Sequence, residues 1–171
     1  HVIDRQFTLD DKHAAAVGVM VDIIGGGEFS LLWREVRQDS GLAYSCQAGH
    51  DSLPDLGRLM TIVQTRSANV SKVDGMVDDI LRRVRKGDFP KEIVGQSKMH
   101  IIGQMRRSFD TVNGVGTSIA DMYCMNEDQR TMPWEVEGLI SEVTKADVVA
   151  VAEAIFSQPF SRQHIIDGGQ P

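Results

Sequence analysis

Five histidines, His1, His13, His50, His100 and His164, are the side chains with which this chain could hold a metal. None has a second histidine within the roughly three to five residues that a helical or loop site uses. Neither H-E-x-x-H nor its inverse H-x-x-E-H occurs, and no carboxylate is spaced with a histidine so as to change that. His100 therefore reads as a core-edge or surface residue, and no metal is assigned to this chain. Cys46 and Cys124 form no C-x-x-C pair and read as buried small hydrophobes. With no G-x-S-x-G elbow and no cysteine set against a histidine, the chain offers no self-contained nucleophile. The Gly25-Gly26-Gly27 run follows a helix rather than a strand and fits neither phosphate-binding glycine pattern. Two readings of it stay open, a helix terminator with a flexible loop and a loop beside a binding cleft.

The most basic run, Leu81-Arg82-Arg83-Val84-Arg85-Lys86, is expected to be a solvated helix end. Asp78 and Asp79 precede Arg82 and Arg83 by four residues, the favourable order for ion pairs, and cations complement a helix C-terminus. Arg106-Arg107 take the same reading. The chain carries 18 Lys and Arg against 24 Asp and Glu, a net charge of −6, so nothing favours nucleic acid or an anionic membrane as a partner. No apolar run approaches the roughly 20 residues of a membrane span, and the chain reads as soluble. It begins at His1 without a charged and apolar leader, which suggests a processed product or an excised piece. With 171 residues and no linker, repeat or low-complexity tract, a single domain over 1–171 is expected.

The elements that would position any site follow from periodicity. Val2 to Leu9 alternates weakly, as a strand would. Asp10-Asp11 caps a helix with Val17, Met20, Val21 and Ile24 on one face, ended by the glycines. Ser30 caps a short helix over Leu31–Gln38, closed by Ser40-Gly41. In the strand from Leu42 to Ala48, Leu42, Tyr44, Cys46 and Ala48 alternate with Ala43, Ser45 and Gln47. A turn at Gly49–Ser52 with Pro54 then leads to an antiparallel strand at Arg58–Thr65. Ser71 with Asp74 resembles a capping box for an amphipathic helix running through Val73, Met76, Val77, Ile80, Leu81 and Val84 to Gly87. Further helices are expected from Pro90 to Ser108, Thr117 to Met125, Pro133 to Val143, and Thr144 to Pro159, with a closing strand at Gln163–Asp167. Segregated strands and helices predict an α+β fold, helices packed on one face of an antiparallel sheet. Composition and periodicity stop at a soluble domain of that class.

One stretch goes further. Ile23-Ile24-Gly25-Gly26-Gly27-Glu28-Phe29-Ser30-Leu31-Leu32-Trp33-Arg34-Glu35-Val36-Arg37-Gln38-Asp39-Ser40-Gly41-Leu42-Ala43-Tyr44-Ser45 resembles the second half of the pitrilysin/insulinase superfamily of zinc peptidases, which includes the mitochondrial-processing-peptidase type. There a helix ends in glycines, a helix with an L-x-x-E-[IVL]-R core follows, and G-L-A-Y-S begins the next strand. Val143-Thr144-Lys145-Ala146-Asp147-Val148 is similar to the V-T-x-x-D-V before the last helix. The departures, Ser30-Leu31-Leu32-Trp33 for S-S-R-L-F and Gln38-Asp39-Ser40 for E-K-R, touch neither the arginine nor the tyrosine.

The resemblance implies one half of a peptidase clamshell. The other half holds zinc through H-x-x-E-H and a distant Glu, while this half supplies an Arg and a Tyr seven residues apart, here Arg37 and Tyr44. These would hydrogen-bond the substrate carbonyl or its oxyanion while zinc activates the water. Arg37 as a cation at a helix C-terminus and Tyr44 as an ordinary strand aromatic are the plainer readings. The implied partners are a peptide and the zinc-binding half, attached or as the other subunit of a heterodimer. The resemblance suggests a bacterial periplasmic setting. The alternative is a non-proteolytic structural or assembly subunit, as in respiratory complexes. Peptide hydrolysis by this chain alone would require it to bind zinc.

Overall fold

The computed structural model describes residues 2–5, 11–53, 56–124, 133–157 and 160–165. It is α+β, as the segregated pattern predicts: a three-stranded antiparallel sheet in the order β1-β3-β2, with helices against one face. The strands are β1 (Val2–Arg5), β2 (Ala43–Leu53) and β3 (Leu56–Thr65). The helices are α1 (Asp11–Gly25), α2 (Val70–Lys86), α3 (Glu92–Phe109), α4 (Val112–Cys124), α5 (Pro133–Glu142) and α6 (Lys145–Phe156).

α1 is the centre of the core. It packs against β2, α3, α5 and α6, and buries Val19 and Ile23 as fully as the expected face of Met20 and Ile24. A helix apolar nearly all round must be covered on all sides, and from Ala15 to Gly25 every residue but Gly18 is buried. α2 is amphipathic by contrast, burying Val73, Val77, Ile80, Leu81 and Val84. It stops at Gly87, whose φ of 71° is cheap only for glycine and whose N–H bonds back to Arg83 and Val84.

Several expectations change. The strand does not turn at Gly49–Ser52: β2 runs on to Leu53, with His50 opposite Leu59 and Asp51 opposite Arg58. The Asp51–Arg58 ion pair helps carry the ladder through those residues. Ser71 and Asp74 form no capping box, because α2 starts earlier, behind a short 3₁₀ turn at Ser67–Asn69. The capping box lies at Thr144 and Asp147, where each side chain bonds the other's backbone N–H. Asp78 pairs with Arg162, and Asp79 takes Arg83 as expected and Arg82 as well. In place of a closing strand, Ser161 makes a single bridge and residues 162–165 carry no strand. Arg162 and His164 instead bond Asp74 and Asp78 on α2, which fixes the segment to a helix rather than a sheet edge. The expected strand residues 6–9, the cap Asp10, the turn at Pro54, the helix end at Met125, the stop at Pro159 and the strand end at 166–167 lie outside the described residues, as does the Cys124 side chain.

Candidate functional site

The segment between α1 and β2 is built from small residues and tight caps. Gly25 ends α1 against β2 so closely that an added Cβ would lie 2.4 Å from the Ala48 nitrogen. At Gly26 the same atom would meet the Asp22 carboxylate, and at Gly27 the rings of Phe29 and His100. The three glycines thus lie against the interior at the end of α1. Beneath them is a polar knot: Asp22 accepts from Ser97 Oγ at 2.8 Å and from His100 Nδ1 at 2.8 Å, and Gln104 bonds the other ring nitrogen. His100 is therefore a half-buried core-edge residue with both ring nitrogens bonded.

Ser30 caps the next helical stretch, its Oγ accepting from the Trp33 N–H at 3.4 Å. From Trp33 to Asp39 the backbone is π-helical, a wider turn that often marks functional positions. Val36 anchors it in the core, and Glu35 reaches Arg83 of α2, which also holds Asp79 at 2.9 Å. The turn closes through Ser40 Oγ on the Val36 carbonyl and the Gly41 and Leu42 N–H groups on the carbonyls of Arg37 and Val36. Gly41 has φ 63°, a conformation that residues with a Cβ seldom adopt.

Arg37 leaves this turn toward solvent with its guanidinium stacked 3.8 Å from the Trp33 ring centroid. It makes no ion pair among the described residues. Its charge reaches the Cys46 thiol, which burial pushes above its ordinary value and which Arg37 pulls back down.

Tyr44 is placed by a defect in the ladder. Ala43 pairs with Thr65 and Ser45 with Gln64, so Tyr44 is the extra residue of a β-bulge. Simple alternation would put Tyr44 and Cys46 on one face. The bulge breaks that period: Ala43 and Cys46 are both buried, while Tyr44 is 60% exposed. Its phenol oxygen accepts from Arg66 Nε at 3.0 Å. Beside it a groove of about 730 Å³ opens between β3 and α2, with Ile62, Val73 and Ile165 among its apolar lining. Arg37 and Tyr44 both face solvent and do not bond each other; each is held by a separate partner. Arg66 was not legible as a site residue, because it lies just past the expected strand and nothing in the sequence ties it to Tyr44.

Among the described residues no group of three or more His, Cys, Asp or Glu is placed to hold a metal ion. The His100–Asp22 and His164–Asp74 pairs are each already bonded to other side chains, Ser97 and Gln104 in one case and Arg162 in the other. They do not fit a zinc site. No helix among the described residues is long and apolar enough to cross a membrane.

Residues 5–100, more than half the chain, match the family model described as the peptidase M16 inactive domain. The chain is 26% identical over 149 residues to the probable inactive metalloprotease YmfF of Bacillus subtilis, covering 86% of this chain and 34% of that one. It is 22% identical over 151 residues to the uncharacterized zinc protease YmxG of the same organism, covering 88% and 37%. The chain thus spans about a third of the length of the curated relatives it matches. A protease structure from Helicobacter pylori superposes with a TM-score of 0.79 at 18% identity, covering 91% of this chain and 37% of that one, a likeness of fold. The signature from Ile23 to Ser45 lies wholly within the matched residues, and the chain belongs to the peptidase M16 inactive-domain family.

Proposed function

We propose that this chain is the substrate-facing, zinc-free half of a zinc metalloendopeptidase. In this reading it presents Arg37 and Tyr44 to a peptide carbonyl or its oxyanion, opposite an H-x-x-E-H half in the same polypeptide or in a second subunit. The observation that carries the reading is the bulge at Tyr44. It turns a strand aromatic out of the core and leaves the side chain 60% exposed, its oxygen accepting from Arg66 and its hydroxyl able to donate to a substrate. Arg37 adds a guanidinium, always charged and without a carboxylate partner among the described residues, on the turn just before. Donors fixed before the substrate arrives need no reorganisation when negative charge develops on oxygen. The apolar groove beside Tyr44 offers room for a substrate side chain. A bacterial periplasmic location is part of this proposal, and cell fractionation tests it.

The test is cleavage by the chain assembled with its zinc-binding half. Arg37→Ala and Tyr44→Phe should each lower kcat/KM by about a hundredfold, the scale of losing one oxyanion donor. Because both side chains are exposed, stability should move by no more than about 0.5–1 kcal/mol. Near-wild-type hydrolysis by both variants removes the assigned roles. Kinship with a relative described as a probable inactive metalloprotease favours a second reading, a structural or assembly subunit without proteolysis. An H-x-x-E-H sequence in the same gene or its neighbour supports the first reading, and its absence supports the second.

A further inference from the structure

We infer that Arg66 is a positioning residue for Tyr44, setting the direction in which the phenol donates its hydrogen. The inference rests on the proposed role of Tyr44 and adds a residue to that site. Arg66 follows β3 directly and is held on both sides. Before it, Thr65 Oγ1 bonds the Leu42 carbonyl at 2.5 Å across the ladder; after it, the Arg66 carbonyl accepts from the Asn69 N–H at 2.9 Å. Its own backbone is extended, with φ −70° and ψ 146°. On the far side of the bulge, Ser45 Oγ bonds Gln64 at 2.8 Å. The bulge is thus pinned on both flanks, and the arginine that meets its outward residue grows from the same pinned strand.

The chemistry of the pair is directional. A guanidinium has only donors, so Arg66 Nε–H must donate and the Tyr44 oxygen must accept, over 3.0 Å. The phenolic hydrogen cannot be spent on Arg66 and stays available toward the solvent side, where the proposed carbonyl would lie. Arg58, Arg83, Arg85 and Arg106 each pair with a carboxylate. Arg66 has none among the described residues, and its side-chain partner is the phenol.

Two measurements test this separately from the functional reading. The sequence contains two tyrosines, Tyr44 and Tyr123, so a chain labelled with ¹³C at tyrosine Cζ gives two resonances, and Tyr44→Phe assigns one. Arg66→Ala should shift the Tyr44 resonance and leave that of Tyr123, and Arg66→Lys should restore part of the shift. A Tyr44 resonance indifferent to Arg66 overturns the inference whatever the activity. In the assembled peptidase, Arg66→Ala should lower kcat about fivefold with little change in KM, the scale of one exposed charge-assisted bond. The same substitution added to Tyr44→Phe should have no further effect, because the phenol through which it acts is gone. An equal loss in both backgrounds would show that Arg66 acts independently of Tyr44 and would overturn the inference. If Tyr44→Phe alone leaves cleavage intact, the proposed role of Tyr44 fails, while the resonance still decides the Arg66–Tyr44 contact.

Discussion

Gly25→Ala tests the close packing that sets α1 against β2, and the structure gives its size. An ideal Cβ at this position lies 2.4 Å from the Ala48 nitrogen, 2.8 Å from the Gln47 carbonyl carbon and 2.9 Å from the Ala48 Cβ. Ordinary contact between carbons is about 3.5–4.0 Å, so the overlap is of order 1 Å. None of the three atoms belongs to a flexible side chain. Gln47 and Ala48 are paired with Ile62 and Thr61 in the ladder, so relief requires moving β2 or the end of α1. Overpacking of this kind costs about 1–3 kcal/mol, and the better helix propensity of alanine offsets at most about 1 kcal/mol. A net loss of about 1–2 kcal/mol lowers Tm by about 2–8 °C for a domain of this size. The control is Gly75→Ala on the exposed face of α2, where the added atom meets nothing within 4 Å. There the propensity gain stands alone, and stability should rise by about 0.5–1 kcal/mol. Thermal melts and urea titrations of the two variants side by side are the assay. A Gly25→Ala variant as stable as the parent, or raised together with Gly75→Ala, would refute the packing argument.

Two further outcomes are expected. Thr144→Ala removes the side-chain acceptor of the α6 capping box and should destabilise by about 1 kcal/mol in urea unfolding. An unchanged midpoint would mean that the cap contributes nothing. Burial holds the Cys46 thiol above its usual value, so the folded chain keeps this proton more tightly than the unfolded chain does. The linked stability is therefore fully present below the unfolded thiol's pKa of about 8.5 and is lost as pH rises through the folded value. Unfolding free energy should fall from about pH 8.5 up to the folded value and level off beyond it, Cys46→Ala should flatten the fall, and peptide mapping should find Cys46 slow to alkylate until urea is added. Rapid alkylation of Cys46 in the folded chain at pH 8 would contradict this.

Much of the α-helical framework was legible because a helix announces itself through its own residues. Val73, Val77, Ile80, Leu81 and Val84 recur at helical spacing, and Gly87 stands where a left-handed cap belongs. The sheet was less legible, since its ladder depends on residues far apart in sequence. His50 and Asp51 resemble a turn until Leu59 and Arg58 are seen opposite them. Capping was misplaced for a related reason: Ser71-x-x-Asp74 and Thr144-x-x-Asp147 read alike, yet Asp74 is taken by Arg162 and His164, which lie some ninety residues away.

The sequence by itself determined the family, through Ile23 to Ser45, and singled out Arg37 and Tyr44 as a pair to be placed. It also determined that glycine must stand at Gly41, a demand local to the turn, whereas the demand at Gly25 comes from packing against β2. Only the tertiary structure decided how the two side chains are presented. Alternation pointed Tyr44 with Cys46, and the bulge separated them. Spacing left Arg37 at a helix end, and stacking on Trp33 fixed its course. Arg66, the partner that orients the phenol, is brought to it by pairing between β2 and β3. The Trp33–Arg37 stack spans only one helical turn, but the ladder contacts join positions distant in sequence, and the identity of neither residue reveals them.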